Sequence, residues 1–168
     1  MKRRHLFSLP ILAMPMISAR ANEKYEMFGV VLLQPEGVFA QRLGGVEPLV
    51  NYIKALGAAA AGFAGQYDRN SPASGFVVLA VRPNHTSRFW LDLEQPLAEA
   101  SANELILALT QVPPPAVTQG MVALAIKVGL WGGSPTTRAT PMPKEWRAAA
   151  DRAGRPLEVT QLIDLVWQ

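Results

Sequence analysis

Two carboxylates and their neighbours are the residues of this sequence that are best suited to chemistry. Asp92 and Glu94 are two residues apart, and in a β-strand this spacing places both side chains on one face. Paired carboxylates serve as acid and base in glycosidic hydrolysis, or hold a hard cation. The alternative is an exposed strand face on which they pair with Arg88 or Lys127 across the sheet, and we favour this interpretation.

The four tryptophans are the most distinctive residues of the chain. Trp90 and Trp131 are predicted on strand faces opposite the main aliphatic rows, where tryptophan either binds a partner or packs against another part of the chain. We favour packing, with Trp146 and Trp167 in the segments that cover the first two. An open face would instead be a binding surface, with the candidate residues Arg88, Trp90, Asp92, Glu94, Lys127 and Trp131.

The other residues form no recognisable catalytic or metal-binding pattern. His85 is the only histidine beyond residue 21, and the sequence has no H-E-x-x-H pattern around which to build a zinc site. It also lacks a G-x-S-x-G nucleophile elbow, a glycine-rich phosphate loop and any cysteine. We therefore predict no catalytic residue, no metal and no cofactor, and we assign His85 to a turn.

A β-hairpin at residues 75–94 organises the predicted fold. Two strand-forming runs flank a polar loop at residues 83–86. The first run is apolar on both faces, which is typical of a central strand. In the second run Phe89, Leu91 and Leu93 alternate with mostly polar residues, so one face is predicted to be buried.

Apolar periodicity and turn residues predict the remaining elements. The predicted extended segments are residues 25–34, 38–42 and 121–131, and the predicted helices are residues 47–61, 97–111 and 144–153. A further short helix is predicted from about residue 160, with a strand as the alternative there. The βαββαβ order indicates an α+β fold, with an antiparallel or mixed sheet and helices mainly on one face. Residues 132–143 are a predicted linker to a helical C-terminal extension, residues 144–168, which we expect to cover Trp90 and Trp131.

The first 21 residues have the pattern of a cleaved signal peptide. Residues 2–4 are basic, residues 6–17 are apolar, and residues 19–21 read A-R-A, a cleavage signal ahead of Asn22. The apolar run is too short to span a bilayer. Arg3 and Arg4 also fit a twin-arginine export signal, which remains an alternative route. Residues 22–168 are predicted to form a single domain.

Removing this leader changes the charge of the chain. The full sequence has 16 basic and 13 acidic residues, whereas residues 22–168 retain 12 basic and 13 acidic ones and have a formal charge of −1. No basic run remains that would bind nucleic acid or anionic lipid.

Residues 75–131 resemble the C-terminal domain of TonB-type energy transducers. The resemblance lies in a hairpin, a helix with ELILAL, the proline-rich PPPAVTQG and a strand of alternating aliphatic residues. It implies a small periplasmic domain that contacts another envelope protein. The family's retained membrane anchor, long proline-rich linker and Tyr-Pro motif are not visible here, so no functional residue is carried over.

These observations lead to two functional hypotheses. The first is an exported, periplasmic, non-enzymatic interaction domain that binds another envelope protein, with no nucleic-acid partner and no membrane span after cleavage. The alternative is a small envelope hydrolase or carbohydrate-binding protein that uses Asp92, Glu94 and Trp90.

Overall fold

A four-stranded antiparallel sheet lies at the centre of the fold. The computed structural model describes residues 24–67 and 71–167, and the predicted leader lies outside the described residues. The elements are β1 (Tyr25–Leu32), α1 (Glu36–Leu43), α2 (Glu47–Gln66), β2 (Ala73–Arg82), β3 (Thr86–Leu93), α3 (Glu99–Thr110), β4 (Val122–Leu130), α4 (Lys144–Ala153) and α5 (Val159–Val166). The strand order is β1-β4-β2-β3, which confirms the predicted α+β class.

Strand β2 is an inner strand because its side chains are apolar on both faces. It pairs with β3 on one side and β4 on the other, and all its residues except Arg82 are buried. Val77, Leu79 and Val81 face one layer, whereas Phe76, Val78 and Ala80 face the other. The prediction that the first run of the hairpin is a central strand with two apolar faces is therefore confirmed.

Each face of the sheet has its own apolar core. Helices α1, α2 and α3 cover one face, where Leu56, Leu105 and Leu109 pack on Leu79 and Leu124. Helices α4 and α5 cover the opposite face, where the core contains Phe76, Trp90, Ala123, Ala125, Trp146, Leu162 and Ile163. The C-terminal extension is thus the second covering layer of the sheet.

The predicted extended piece at residues 38–42 is wrong, because these residues lie in α1. Phe39 and Leu43 are four positions apart, so a helix turns both toward the same core, and both are buried. Gly44 follows with a φ of 69°, the left-handed conformation that commonly ends a helix. The run is too short for its helical period to stand out in the sequence.

Local signals at the ends of α4 and α5 agree with the structure. Gly154 ends α4 with a φ of 61°, the left-handed conformation that glycine adopts readily. Helix α5 begins with a capping box in which the side chains of Glu158 and Gln161 bond each other's backbone N–H groups. These two short helices are therefore placed by their caps as well as by their apolar faces.

Candidate protein-binding groove along strand β3

Asp92 is bound by an arginine that the sequence analysis did not identify. Arg138 Nη1 donates to both carboxylate oxygens at 2.9 and 2.8 Å, and its Nη2 donates to the Asp92 carbonyl at 2.8 Å. The backbone N–H of Met142 donates to Asp92 Oδ2 at 2.7 Å. These donors lie in the segment between β4 and α4, so Asp92 anchors that segment to the edge of the sheet.

Glu94 extends the same anchor. Its Oε1 accepts a hydrogen bond from the Thr136 hydroxyl and lies 3.8 Å from Arg138 Nε. The predicted partners of the two carboxylates, Arg88 and Lys127, are therefore wrong. The carboxylates do not form an open acidic pair, because the Arg138 guanidinium occupies the position beside them where a bound cation would lie.

Trp90 is covered, as predicted, by the C-terminal extension. Its side chain is 4% exposed. Its ring meets those of Trp146 and Trp167 edge-on, with centroid distances of 5.5 and 6.4 Å. A sugar ring stacks on an exposed aromatic face, and Trp90 offers none.

Trp131 does not share the face of Trp90, so its predicted position is wrong. It follows the last residue of β4 with a φ of 51°, and this left-handed turn directs the indole to the α2 side of the sheet. Its Nε1–H donates to the carbonyls of Ala64 and Tyr67, both at 3.1 Å. Trp131 thus binds the C-terminal end of α2, and strand alternation does not extend past Leu130.

Arg88 and Lys127 occupy separate places on the second face. Arg88 Nη1 donates to the Trp167 carbonyl, which fixes the end of α5 beside β3. Lys127 Nζ lies 5.8 Å from the centre of the Phe76 ring, and Arg138 lies 5.2 Å from the same ring. The six predicted binding residues therefore do not form one site.

His85 lies at the hairpin tip, as predicted. It has a φ of 55°, and Asn84 before it has a φ of 65°. Its Nδ1 lies 3.2 Å from the Pro114 carbonyl. Within residues 24–67 and 71–167, no group of three or more metal-ligating side chains comes together. No helix in this part of the chain is long and apolar enough to cross a membrane.

A groove runs along the outer edge of β3 and includes part of the predicted set. Two adjoining clefts of about 440 and 550 Å³ form it. They share Phe89, Trp90, Ile106 and Glu145, so together they extend along the whole strand from Thr86 to Leu93. We call this surface the β3 groove.

The lining residues show that the β3 groove follows an edge of the sheet. Phe89 and Leu91 point to the first core and Trp90 to the second, yet all three line the same cleft. Side chains from both faces of a strand meet only along its free side. β3 is the last strand of the sheet, so on this side its backbone has no neighbouring strand among the described residues.

Helices form the two walls of the β3 groove. One wall is α3 with the turn before it, and the other consists of α4 and the end of α5. The wall residues are Pro96, Leu97, Glu99, Ala102, Asn103, Ile106, Thr110, Lys144, Glu145 and Trp167. Half of these wall residues are apolar. The charged residues are Glu99 and Lys144 toward the Leu93 end, Glu145 where the two clefts adjoin, and Arg88 toward the Thr86 end.

Sequence reasoning found the floor of this groove and missed its walls. Arg88, Trp90 and Asp92 were identified because they lie on one strand. Ala102 and Ile106 carry a weak signal, since their spacing of four places them on one side of α3 beside the buried Leu105 and Leu109. Arg138 carries none, because only the folded chain brings it to Asp92.

Comparisons with protein-family models, with curated proteins and with solved structures find no match to this chain, so the resemblance to TonB-type domains stays a prediction.

Proposed function

We propose that the chain is an exported, periplasmic, non-enzymatic domain that binds an extended segment of another envelope protein in the β3 groove. The supporting observation is the free edge of β3 between the walls formed by α3 and α4. An extended peptide adds to such an edge through main-chain hydrogen bonds, and side-chain pockets give specificity.

The form of the groove supports a peptide rather than a small molecule. It spans the eight residues of β3 and is open along its length, whereas small-ligand sites enclose most of the ligand surface. Leu91, Leu97 and Ile106 provide apolar contacts for alternate side chains of a strand. Glu99, Lys144 and Glu145 line the same cleft, so polar or charged side chains of both signs in the partner suit this part of the groove.

The contacts of Asp92 and Trp90 argue against the hydrolase or carbohydrate-binding alternative. Asp92 is held by Arg138 and by the Met142 N–H, and Trp90 is buried under the C-terminal helices. Both side chains serve the attachment of the C-terminal extension. Export rests on the signal pattern of residues 1–21, and the periplasmic location on that pattern and the resemblance of residues 75–131.

Site-specific photocrosslinking in cells tests the proposal. A photoreactive residue at Asn103, which lines the groove, should capture a discrete partner protein. The same residue at Glu104, the next position of α3 but not part of the lining, is the matched control and should capture none. Equal capture from both positions, or none from either, would contradict binding in the groove.

A further inference from the structure

The opposite edge of the sheet carries an apolar surface that the proposed function does not use. Among the described residues, eight large hydrophobic side chains are classed as exposed, and five of them belong to β1 or the start of α2. This concentration distinguishes the surface from scattered exposed residues, which are normal. We call it the β1 patch, and its members are Met27, Val30, Leu32, Val46 and Val50.

Strand β1 contributes one row of the patch. Met27, Val30 and Leu32 pair with Val128, Ile126 and Leu124 of β4, whose side chains face the first core. The three β1 residues therefore point to the same side as the helices, yet they are 44%, 38% and 39% exposed. Helix α2 does not extend far enough over the edge to cover them.

Helix α2 contributes the second row. Val46, Val50, Ile53 and Gly57 are spaced by four, three and four residues, so they form one stripe along the helix. A Cβ on Gly57 would lie 3.6 Å from the Tyr25 ring, which places this stripe above β1. Lys24 Nζ lies 3.4 Å from the Gly65 carbonyl, so α2 runs antiparallel to β1.

The outer side of β1 has no strand neighbour among the described residues. A bulge between Met27 and Gly29 protects its first half, since bulges turn an edge away from pairing. Beyond the bulge, residues 29–33 contain neither a charged residue nor a proline, the other common protections of an edge. This second half is suited to antiparallel pairing.

The charges beside the patch favour a second copy of the same chain. Glu47 and Lys54 are both exposed and lie seven residues apart, on the outer side of the α2 stripe. In an antiparallel pair of α2 helices, Glu47 of each copy meets Lys54 of the other. A twofold interface requires this kind of self-complementarity.

We infer that the protein forms a twofold dimer in which the β1 strands pair antiparallel and the β1 patches of two copies cover each other. The two sheets then join into one of eight strands, and the two β3 grooves lie at its opposite ends. Dimerisation goes beyond the proposed function, because β1 and β3 are opposite edges of the sheet.

Sedimentation velocity of residues 22–168 over a wide concentration range tests the dimer. The wild-type chain should show a concentration-dependent dimer. Val30→Lys and Val50→Lys should each raise the dimer dissociation constant at least about tenfold, because each buries an unpaired charge in the interface. Leu107→Lys, at an exposed apolar residue of α3 outside the patch, is the matched control and should leave the constant unchanged.

Charge reversal tests the twofold arrangement itself. Glu47→Lys and Lys54→Glu should each weaken the dimer, and the double variant should restore it. A chain that is monomeric throughout the range, or a dimer that both lysine variants leave intact, overturns the inference. A double variant that is no tighter than the single ones overturns the α2 contact. Flotation with phosphatidylethanolamine and phosphatidylglycerol vesicles that depends on Val30 would assign the patch to a membrane surface instead.

Discussion

Arg138 attaches the segment between β4 and α4 to the edge of the sheet through several polar contacts. It contacts both oxygens of Asp92, the Asp92 carbonyl and, at a longer distance, Glu94. Asp92 is the more buried of the two carboxylates, with 12% of its side chain exposed against 37% for Glu94. The two acids are therefore expected to contribute unequally to stability.

Asp92→Ala should lower the free energy of unfolding by about 1–3 kcal/mol, because it leaves Arg138 Nη1 and the Met142 N–H without their carboxylate acceptor. Glu94→Gln is the matched control. It keeps an acceptor for the Thr136 hydroxyl and removes only a half-exposed charge, so it should cost less than about 1 kcal/mol. Urea unfolding of the two variants measures the difference, and equal losses would contradict the anchoring role of Asp92.

Tyr52 provides a pH-dependent test at the same scale. Burial raises the pKa of its phenol above the ordinary value of 10.0, with a smaller opposing effect from Ser87. Above pH 10.0 the unfolded chain therefore releases this proton more readily than the folded chain, and stability falls as pH rises. Tyr52→Phe should lose less stability than the wild type between roughly pH 9 and roughly pH 11, as followed by urea unfolding. Parallel pH curves for the two proteins would show that Tyr52 is not responsible.

At the scale of elements, the C-terminal extension covers the second face of the sheet. Helices α4 and α5 supply Trp146, Leu162 and Ile163 to the second core, and Ile163 is fully buried. Arg82 forms an ion pair with Asp164, and its guanidinium lies 3.9 Å from the centre of the Trp167 ring. The extension is thus attached through apolar packing and through polar contacts at its end.

Ile163→Ala should destabilise the protein by about 2–5 kcal/mol, because it leaves a cavity in the second core. Leu165→Ala, two residues further along α5 at a side chain that is 52% exposed, should change stability by no more than about 0.5 kcal/mol. Chemical denaturation compares them under identical conditions. Similar effects of both substitutions would mean that α5 does not pack on the sheet in solution.

Elements with a clear period were predictable, and contacts between distant segments were not. The alternation in β2, β3 and β4 correctly gave both faces of the sheet, because successive side chains of a strand point to opposite faces. Helix α1 was missed because it makes only about two turns and supplies two buried residues. The Trp131 error came from a left-handed residue at the end of a strand, which strand alternation does not foresee.

The candidate site was predictable only in part for the same reason. Arg88, Trp90 and Asp92 are close in sequence, so a strand pattern groups them. Arg138 is 46 residues from Asp92, and Ile106 reaches the groove from another element. Such groupings depend on the tertiary fold, and a single sequence without a family motif does not report them.

At the scale of the whole molecule, the sheet has two edges with different surroundings. The β3 edge lies between helical walls, and the β1 edge carries the β1 patch. The proposed peptide site and the inferred dimer interface are therefore separate, and a substitution at one should leave the other intact. This independence allows each proposal to fail alone.

Export predicts a defined N-terminus. Protein recovered from the periplasm should begin at Asn22, because cleavage follows the A-R-A signal at residues 19–21. Intact-mass spectrometry of the exported protein measures this directly. A retained leader would indicate that the N-terminus anchors the protein to the membrane.

Selection of a displayed library of random peptides against residues 22–168 tests the central claim, the binding of an extended segment in the β3 groove, most directly. The selected peptides should alternate apolar and polar residues. Ala102→Trp, which fills the groove, should abolish their binding without lowering the melting temperature. Glu104→Trp, two residues further along α3 and outside the groove lining, should bind them as the wild type does. Failure to select any peptide, or equal binding by both variants, would contradict the claim.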